Sequence, residues 1–434
     1  MERWRTLLEA IENRSAIVGV IGLGYVGLPV ATALARSGFS VIAVDRDRDR
    51  VERVRAGLSY VPDVTSDELA LLLKSKRLAA TTSYRRLANA DVVIVSVPTP
   101  LSDGRPDVSA IEAAGRSLSG VLKPATLVVL ESTTYPGTTE DVLRPLLEAS
   151  GLIAGKDFLL AYSPERIDPG NEMYSFIDIP KIVGGLDRAS TLAVETLYEQ
   201  VVTKVIVVSG TREAEMAKLI ENTFRHVNIG LVNELALYAN EWNLDIWEAI
   251  EAASTKPFGY MAFWPGPGWG GHCIPLDPSY LSWKVRREHA HEIRFVELAQ
   301  RINAEMPKYV AERVSLLLNE RGKAVKGARI LGVGVAYKAG TADTRGSPAI
   351  KVLSILQSRG SSISYHDPLV PELRLQDKRL ASAKLRSTLL HKHDLVVAFI
   401  PQVDVNWMLV QREAPLIFDC CNAFKKGDAQ VVRL

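Results

Sequence analysis

Short apolar runs alternate with helical patterns along the first half of the chain. Residues 16–21, 40–45, 91–97, 127–131 and 157–162 are Val-, Ile- and Leu-rich runs of strand length. Between them, residues 28–37, 67–74, 109–118 and 138–148 space their apolar positions as helices do. Buried strands separated by helices predict a parallel, doubly wound sheet.

The pattern then changes. From 213 to about 253 a helical repeat runs with little Gly or Pro, as one long helix or two shorter ones. Residues 258–278 are dense in Gly and Pro and predict an irregular loop. Helical spacing resumes over 293–321, interrupted by Pro307. Strand–helix alternation then returns, with strands predicted over 328–333, 361–365, 394–400 and 416–419. A loose internal echo links the two ends. IGLGYVG…VIAVD early and LGVGVAYKAG…ISYHD late both read as strand, Gly-containing turn, helix, and strand ending in Asp. The expected fold is α/β: two Rossmann-like doubly wound domains joined by a central helical region. The expected domains span 1–205, 206–322 and 323–434.

Composition narrows the class. A chain of 434 residues is too long for one core, so two or three domains are expected. Lys and Arg number 52 against 50 Asp and Glu, so neither nucleic acid nor a membrane surface is an expected partner. No apolar run reaches the roughly 18–20 residues that span a bilayer, and the first residues lack the pattern of a signal peptide. The cysteines are Cys273 and the adjacent Cys420 and Cys421. Adjacent cysteines make a poor staple, so a reducing, cytoplasmic setting is expected.

Candidate chemistry begins at Gly22-Leu-Gly24-Tyr25-Val26-Gly27, between a predicted strand and a predicted helix. The first Gly permits the turn, the second lets backbone approach a pyrophosphate, and the third lets helix pack on strand. Asp45 ends the next predicted strand 18 residues after Gly27. A carboxylate there accepts hydrogen bonds from a ribose diol and repels a 2′-phosphate, which favours NAD over NADP. The nearby Arg46, Arg48 and Arg50 pull the other way. Thr99 and Thr133 follow further strands, where hydroxyls could meet a ribose or a reacting alcohol or simply close ordinary turns.

Cys273 lies in GPGWGGHCIPLD, where little side-chain bulk would keep a substrate away. A thiolate there is a candidate nucleophile, and Asp277 four residues on could orient a Lys or a water. His272 has no companions at zinc-ligand spacing, so no metal is expected. Lys218 and Asn222 share one face of the central helix, and Asn228 and Asn233 nearby are consistent with a lined cleft. Glu165 and its neighbour Arg166 could hold a water or an anion, or form a surface ion pair. Lys338 and Arg345 follow the first strand of the last α/β region and could bind a diphosphate or lie on a solvated loop.

Together these stretches resemble the UDP-glucose/GDP-mannose dehydrogenase family. GLGYVGLP, PTP, ESTTYPGTTE, SPERIDPGN, KIVGG, KLIENTF, PGPGWGGHCIPLDP and YKAGTADTR occur in family order over nearly the whole chain. The resemblance implies an N-terminal NAD domain, a central dimerising region and a C-terminal nucleotide-sugar domain. It also implies oxidation of a sugar C6 alcohol to the acid in two NAD-dependent steps, by a homodimer or higher homo-oligomer. On this resemblance Cys273 forms the thiohemiacetal and thioester, and Lys218 and Asn222 stabilise the oxyanion. Asp277 partners Lys218 or a water, and Glu165 and Thr133 hold the water. Gly22, Gly24, Tyr25, Val26, Gly27, Asp45, Arg50, Thr99, Thr133 and Arg345 would meet NAD. The nucleotide sugar would meet Glu165, Arg166, Ile167, Lys218, Asn222, Arg225, Phe258, Tyr260, Gly268, Tyr337 and Lys338. GGHCIPLDP with SPERIDPGN is most similar to the branch acting on UDP-N-acetylhexosamines, in particular UDP-N-acetylglucosamine. UDP-glucose, TDP-glucose and UDP-N-acetylmannosamine stay open. Gly346 stands where the family usually has Glu. A single-step β-hydroxyacid-type dehydrogenase and a non-catalytic nucleotide-sugar sensor are the remoter alternatives.

Overall fold

A computed structural model of the chain describes residues 4–61, 63–167, 173–271, 273–424 and 430–434, with only the backbone of Cys273 described. The strands are β1 (Ile17–Ile21), β2 (Ser40–Val44), β3 (Leu78–Thr81), β4 (Val92–Val95), the short pair β5 (Leu101–Ser102) and β6 (Arg105–Pro106), β7 (Leu127–Leu130), β8 (Leu159–Tyr162), β9 (Lys181–Gly185) and β10 (Val205–Val207). They are followed by β11 (Arg329–Val333), β12 (Ser362–His366), the pair β13 (Glu372–Leu375) and β14 (Lys378–Ala381), β15 (Leu395–Ala398), β16 (Ile417–Asp419) and β17 (Val431–Arg433). The helices are α1 (Arg5–Glu12), α2 (Gly27–Arg36), α3 (Arg48–Arg55), α4 (Ser66–Lys74), α5 (Ser109–Ser119), α6 (Arg144–Glu148) and α7 (Arg188–Glu199). Next come α8 (Thr211–Glu241), α9 (Ile246–Ser254), α10 (Cys273–His289), α11 (Arg294–Glu320), α12 (Pro348–Ser358), α13 (Ser387–His391) and α14 (Trp407–Glu413). The chain forms two compact units, Met1–Glu221 with Ser279–Glu288, and Asn222–Pro278 with His289–Leu434.

In the first unit an eight-stranded sheet runs β10-β9-β8-β7-β4-β1-β2-β3. Its strands are parallel except where β9 meets β8. Alternate residues of one strand feed opposite faces. Val92 and Ile94 join one buried cluster, Val93 and Val95 the other. That two-sided burial is why the strands read as unbroken apolar runs. In the second unit a parallel sheet runs β12-β11-β15-β16-β17. The α/β expectation therefore holds for both ends of the chain.

The echo seen in the sequence is structural. Gly22 after β1 and Gly334 after β11 both have positive φ, +98° and +74°. A side chain on either would strike the neighbouring strand's end, at the Ser96 carbonyl oxygen (2.0 Å) or the Ile400 carbonyl oxygen (2.6 Å). In each unit the Asp after the second strand caps the turn after the first. Asp45 accepts the Leu23 amide at 2.7 Å, and Asp367 those of Val335 and Ala336 at 2.8 and 3.2 Å. The two differ in what else they hold. Gln402 donates to Asp367 at 3.1 Å and leaves it buried in a polar knot.

Two loop expectations need correction. The loop predicted over 258–278 ends early, because α10 begins at Cys273. Pro275 falls in the first turn, where a missing amide costs nothing, and Pro278 lies inside the helix. Pro307 does not interrupt α11 either; it is buried within the helix, where packing outweighs one lost hydrogen bond. Among the described residues no helix is long and apolar enough to cross a membrane.

Candidate active site

The Gly loop follows β1 and leads into α2. A Cβ on Gly27 would lie 1.9 Å from the Gly22 carbonyl oxygen, so only Gly lets the helix approach the turn. Gly24 is different: nothing lies within 4 Å of where its Cβ would be. The backbone there is open to a ligand, and α2 begins at Gly27, so the positive end of its dipole lies near the opening. Asp45 is buried and also accepts the Asp47 amide at 2.9 Å, with Arg50 3.5 Å away. Tyr25 is half-exposed beside Val26. These residues fit a dinucleotide with its pyrophosphate over Gly24 and its ribose diol at Asp45.

The two glycines should respond differently to alanine. Gly27→Ala should cost about 1–3 kcal/mol by overpacking against backbone. Gly24→Ala should leave the melting temperature near the parent's and weaken NAD binding. Thermal melts with and without NAD separate the two, and equal destabilisation by both substitutions would contradict this reading.

Thr99 donates its hydroxyl to the Thr133 carbonyl at 2.7 Å, joining the segments after β4 and β7. β4 lies next to β1, where the strand order reverses, the usual place for a ligand in an open α/β sheet.

Glu165 is not in a surface ion pair. It is buried, its Oε1 accepts the amides of Arg166 and Ile167 at 2.7 Å each, and its Oε2 faces Lys181 at 3.0 Å. Lys181 also reaches Glu131 at 2.8 Å, and the Tyr198 hydroxyl donates to Glu131. Burial pushes the Glu131 carboxyl up, with Lys181 opposing. Burial works against the Lys181 charge, but Glu131 and Glu165 outweigh it and hold the ammonium above the usual range. Arg166 turns elsewhere, to Glu221 at 2.6 Å and the Pro180 carbonyl at 2.5 Å. Lys218 on α8 is buried, yet its ammonium forms no hydrogen bond or ion pair among the described residues. A buried cation of this kind is suited to a ligand anion or a developing oxyanion.

In the second unit, Arg225 donates to the Asn222 side-chain oxygen, and Asn222 donates to the Asp277 carboxylate. Those partners fix which end of the Asn222 amide is which. Asn222 is thus one partner of Asp277. Cys273 opens α10 one turn before Asp277, but its side chain lies outside the described residues, as do His272 and residues 168–171 of SPERIDPGN. Gly270 and Gly271 abut Tyr337: a Cβ on either would come within 2.7 Å of that side chain. The Gly271 amide donates to the Arg345 carbonyl at 2.9 Å, so the Gly-rich segment before Cys273 packs on the segment that carries Lys338. The Arg345 guanidinium is engaged by Asp343 at 2.6–3.0 Å. Phe258 and Tyr260 are exposed, and Gly268 has φ +113°. Asn233 is buried and Asn228 partly exposed. Asn228 donates to the Phe224 carbonyl at 2.7 Å, and Asn233 holds the Gly266 amide and Asn303 at 2.9 and 2.7 Å. Among the described residues no His, Cys, Asp and Glu cluster is arranged to hold a metal ion.

Glu131, Lys181 and Gln402 carry these networks and had no role in the sequence reading. The available signal was a charged residue directly against an apolar strand, as in Lys181-Ile182-Val183.

Known proteins with the same pattern carry the same parts in the same order. Three family descriptions of the UDP-glucose/GDP-mannose dehydrogenases match: the NAD binding domain over residues 16–202, the central domain over 212–305 and the UDP binding domain over 331–426. A UDP-N-acetyl-D-mannosamine dehydrogenase of Pyrococcus horikoshii is 37% identical over 81% of this chain and 84% of its own. A UDP-N-acetyl-D-glucosamine 6-dehydrogenase of Pseudomonas aeruginosa is 35% identical over 81% of this chain and 83% of its own. A solved structure of a UDP-D-ManNAc dehydrogenase from Pyrococcus horikoshii superposes with TM-score 0.87 at 33% identity, covering 96% of this chain and 98% of that one.

Proposed function

Since the chain belongs to the UDP-glucose/GDP-mannose dehydrogenase family and is an NAD-dependent nucleotide-sugar dehydrogenase, we propose that it oxidises the C6 alcohol of a UDP-N-acetylhexosamine to the carboxylate through a covalent Cys273 intermediate. The observation that carries this is the Arg225–Asn222–Asp277 chain, which ties α8 to α10 one turn after Cys273 opens it. When bound, NAD supplies the hydride acceptor for both oxidations. The protein does the rest. The C6 hydroxyl passes its proton through a water held at Thr133 to the Glu165 carboxylate, while the Lys218 ammonium and Asn222 stabilise the oxyanion, a contribution of a few kcal/mol per donor. The Cys273 thiolate adds to the aldehyde carbon, forming a C–S bond, and the aldehyde oxygen is held as an alkoxide. After the second oxidation the thioester is cleaved by a water held at Glu165 and Thr133. The C–S bond breaks, the thiolate returns, and the acid leaves. Arg166, Ile167, Phe258, Tyr260, Gly268, Tyr337 and Lys338 are assigned to the nucleotide sugar, and Arg50, Thr99 and Arg345 to cofactor or domain contacts.

UDP-N-acetyl-D-glucosamine is our first choice of sugar, on the GGHCIPLDP and SPERIDPGN motifs. UDP-N-acetyl-D-mannosamine has equal support from the relatives. NADH yield per sugar across both compounds, UDP-glucose and TDP-glucose tests the reading. Two NADH and one acid per sugar are expected for an N-acetylhexosamine. One NADH with no acid would replace it with a single-step dehydrogenase, and none with retained binding would replace it with a sensor. A reducing cytoplasm suits the thiol, and Cys420 and Cys421 are free.

We also propose a homodimer. Phe224, Leu231, Leu235 and Tyr238 are exposed on α8, and Trp242, the residue after its end, is exposed as well. At helical spacing they form one stripe, opposite the face that carries Asn222, His226 and Asn233. A second copy can cover such a stripe by two-fold symmetry. The double change Leu231→Asp with Leu235→Asp should convert a dimer into monomers in sedimentation velocity. A monomeric parent protein would end this proposal.

A further inference from the structure

One buried side chain on α8 has no role so far. His226 is fully buried and lies against Trp269, with ring centroids 4.0 Å apart and the rings tilted by 33°. Its Nδ1 lies 2.9 Å from the Ile274 carbonyl oxygen, and its Nε2 lies 3.2 Å from the Val296 carbonyl oxygen. The Ile274 contact has a cause in the sequence of α10. Inside a helix, the amide of residue i + 4 serves the carbonyl of residue i. For Ile274 that residue is Pro278, which has no amide hydrogen to give. The carbonyl that follows Cys273 by one residue is therefore an orphan of its own helix. Burial holds His226 below its ordinary His value, with the two carbonyls opposing. A neutral ring has one N–H, and the acceptor lacking a helical donor is Ile274. Val296, in α11, has a helical amide available from Gln300.

We propose that His226 is a positioning residue for Cys273: its Nδ1–H replaces the donor that Pro278 removes and so holds the first turn of α10. With the Asn222–Asp277 bond it gives that turn a second attachment to α8, one helical turn along. An ordered first turn matters to a thiol at its start, because the unpaired amides of a helix N-terminus favour the thiolate. The inference rests on Cys273 being the nucleophile, and its test is built to stand apart from that reading.

The test is the pH–rate profile for iodoacetamide alkylation of Cys273 in the full chain, followed on its own peptide by mass spectrometry. Burial pushes the Cys420 and Cys421 thiols up, so they are poor competitors. The variants are His226→Leu, His226→Asn, Pro278→Ala and the double His226→Leu/Pro278→Ala. Removing the donor should slow alkylation at neutral pH about tenfold, the scale of one buried orphan acceptor, and move the profile to higher pH. The same loss should appear in kcat, with KM for the sugar nucleotide little changed. His226→Asn retains a donor at the position of Nδ1 and should recover part of the rate. Pro278→Ala returns the backbone amide, so the double variant should alkylate faster than His226→Leu alone, a coupling that lost packing would not produce. A parent-like profile in His226→Leu, or a slow one that Pro278→Ala leaves slow, overturns the proposal. If His226→Leu does not fold, His226→Asn with and without Pro278→Ala gives the same comparison. Acid formation by Cys273→Ala would remove the nucleophile reading and leave the alkylation result intact.

Discussion

Replacing Cys273 with Ala should stop acid formation, lowering its rate by at least about a thousandfold, the scale seen when a covalent nucleophile is removed. NAD and sugar-nucleotide affinities should stay close to the parent's, because the Gly22–Gly27 turn and Asp45 are held by contacts of their own and the substitution removes a single sulfur atom. The experiment measures acid by ion-exchange chromatography and binding by calorimetry on the same preparations. A variant that still makes acid at the parent rate ends the covalent mechanism and leaves hydration of a free aldehyde as the route. Cys273→Ser distinguishes chemistry from shape. It keeps the volume and supplies a poorer nucleophile, so it should fall between Ala and the parent.

The second large effect is on folding. Among the described residues, Lys181 is the only cation in contact with Glu131 and Glu165, which share it. Lys181→Met leaves two buried carboxyls facing each other without it. Breaking a buried ion pair from one side costs about 3–5 kcal/mol, a large share of the roughly 5–15 kcal/mol of a typical domain. The loss should depend on pH in a definite direction. Glu131 already lies above its unfolded value because it is buried, and removing Lys181 pushes it further up. The folded variant then binds more protons than the unfolded chain, so its stability falls as pH rises through the shifted range. Melting curves of variant and parent should lie closer together at pH 5 than at pH 8. A constant gap at all pH values would mean that lost packing, not charge, is responsible. Adding Glu131→Gln removes one of the two opposed carboxyls and should recover part of the loss at pH 8.

Much of the fold was legible because burial and periodicity coincide. β1, β2, β4, β7 and β8 are buried on both faces, and each announces itself as an apolar run. The missed strands lack that mark. β3 alternates buried and exposed positions over four residues, LAAT, and β10 is a partly exposed edge strand of three. β9 opens on a Lys and closes on two glycines. Its Lys is buried because two carboxylates from elsewhere in the sequence meet it, a pairing that no local pattern records. The start of α10 failed for a similar reason. Pro275 and Pro278 read as helix breakers, yet the donors and acceptors that make the helix tolerable come from Asn222 and His226, some fifty residues earlier. The Gly22–Asp45 pairing was legible because both residues sit at fixed offsets from their strands. The Arg225–Asn222–Asp277 chain was only half legible: spacing placed Asn222 on the helix face, but not its partner.

The carboxylate of Asp45 is held by the amides of Leu23 and Asp47, two contacts supplied by the protein itself. A side chain already fixed in its working rotamer loses little freedom when a ribose arrives, whereas ordering a loose one costs about 0.5–1.5 kcal/mol. Binding and release at such a pocket need no rearrangement of this acceptor. In the reaction proposed above, two nicotinamide cofactors serve one tethered sugar, so the first must depart before the second can enter. A rigid acceptor lets that exchange proceed by simple diffusion while the substrate waits, and the throughput of the enzyme then depends on how fast the spent cofactor leaves.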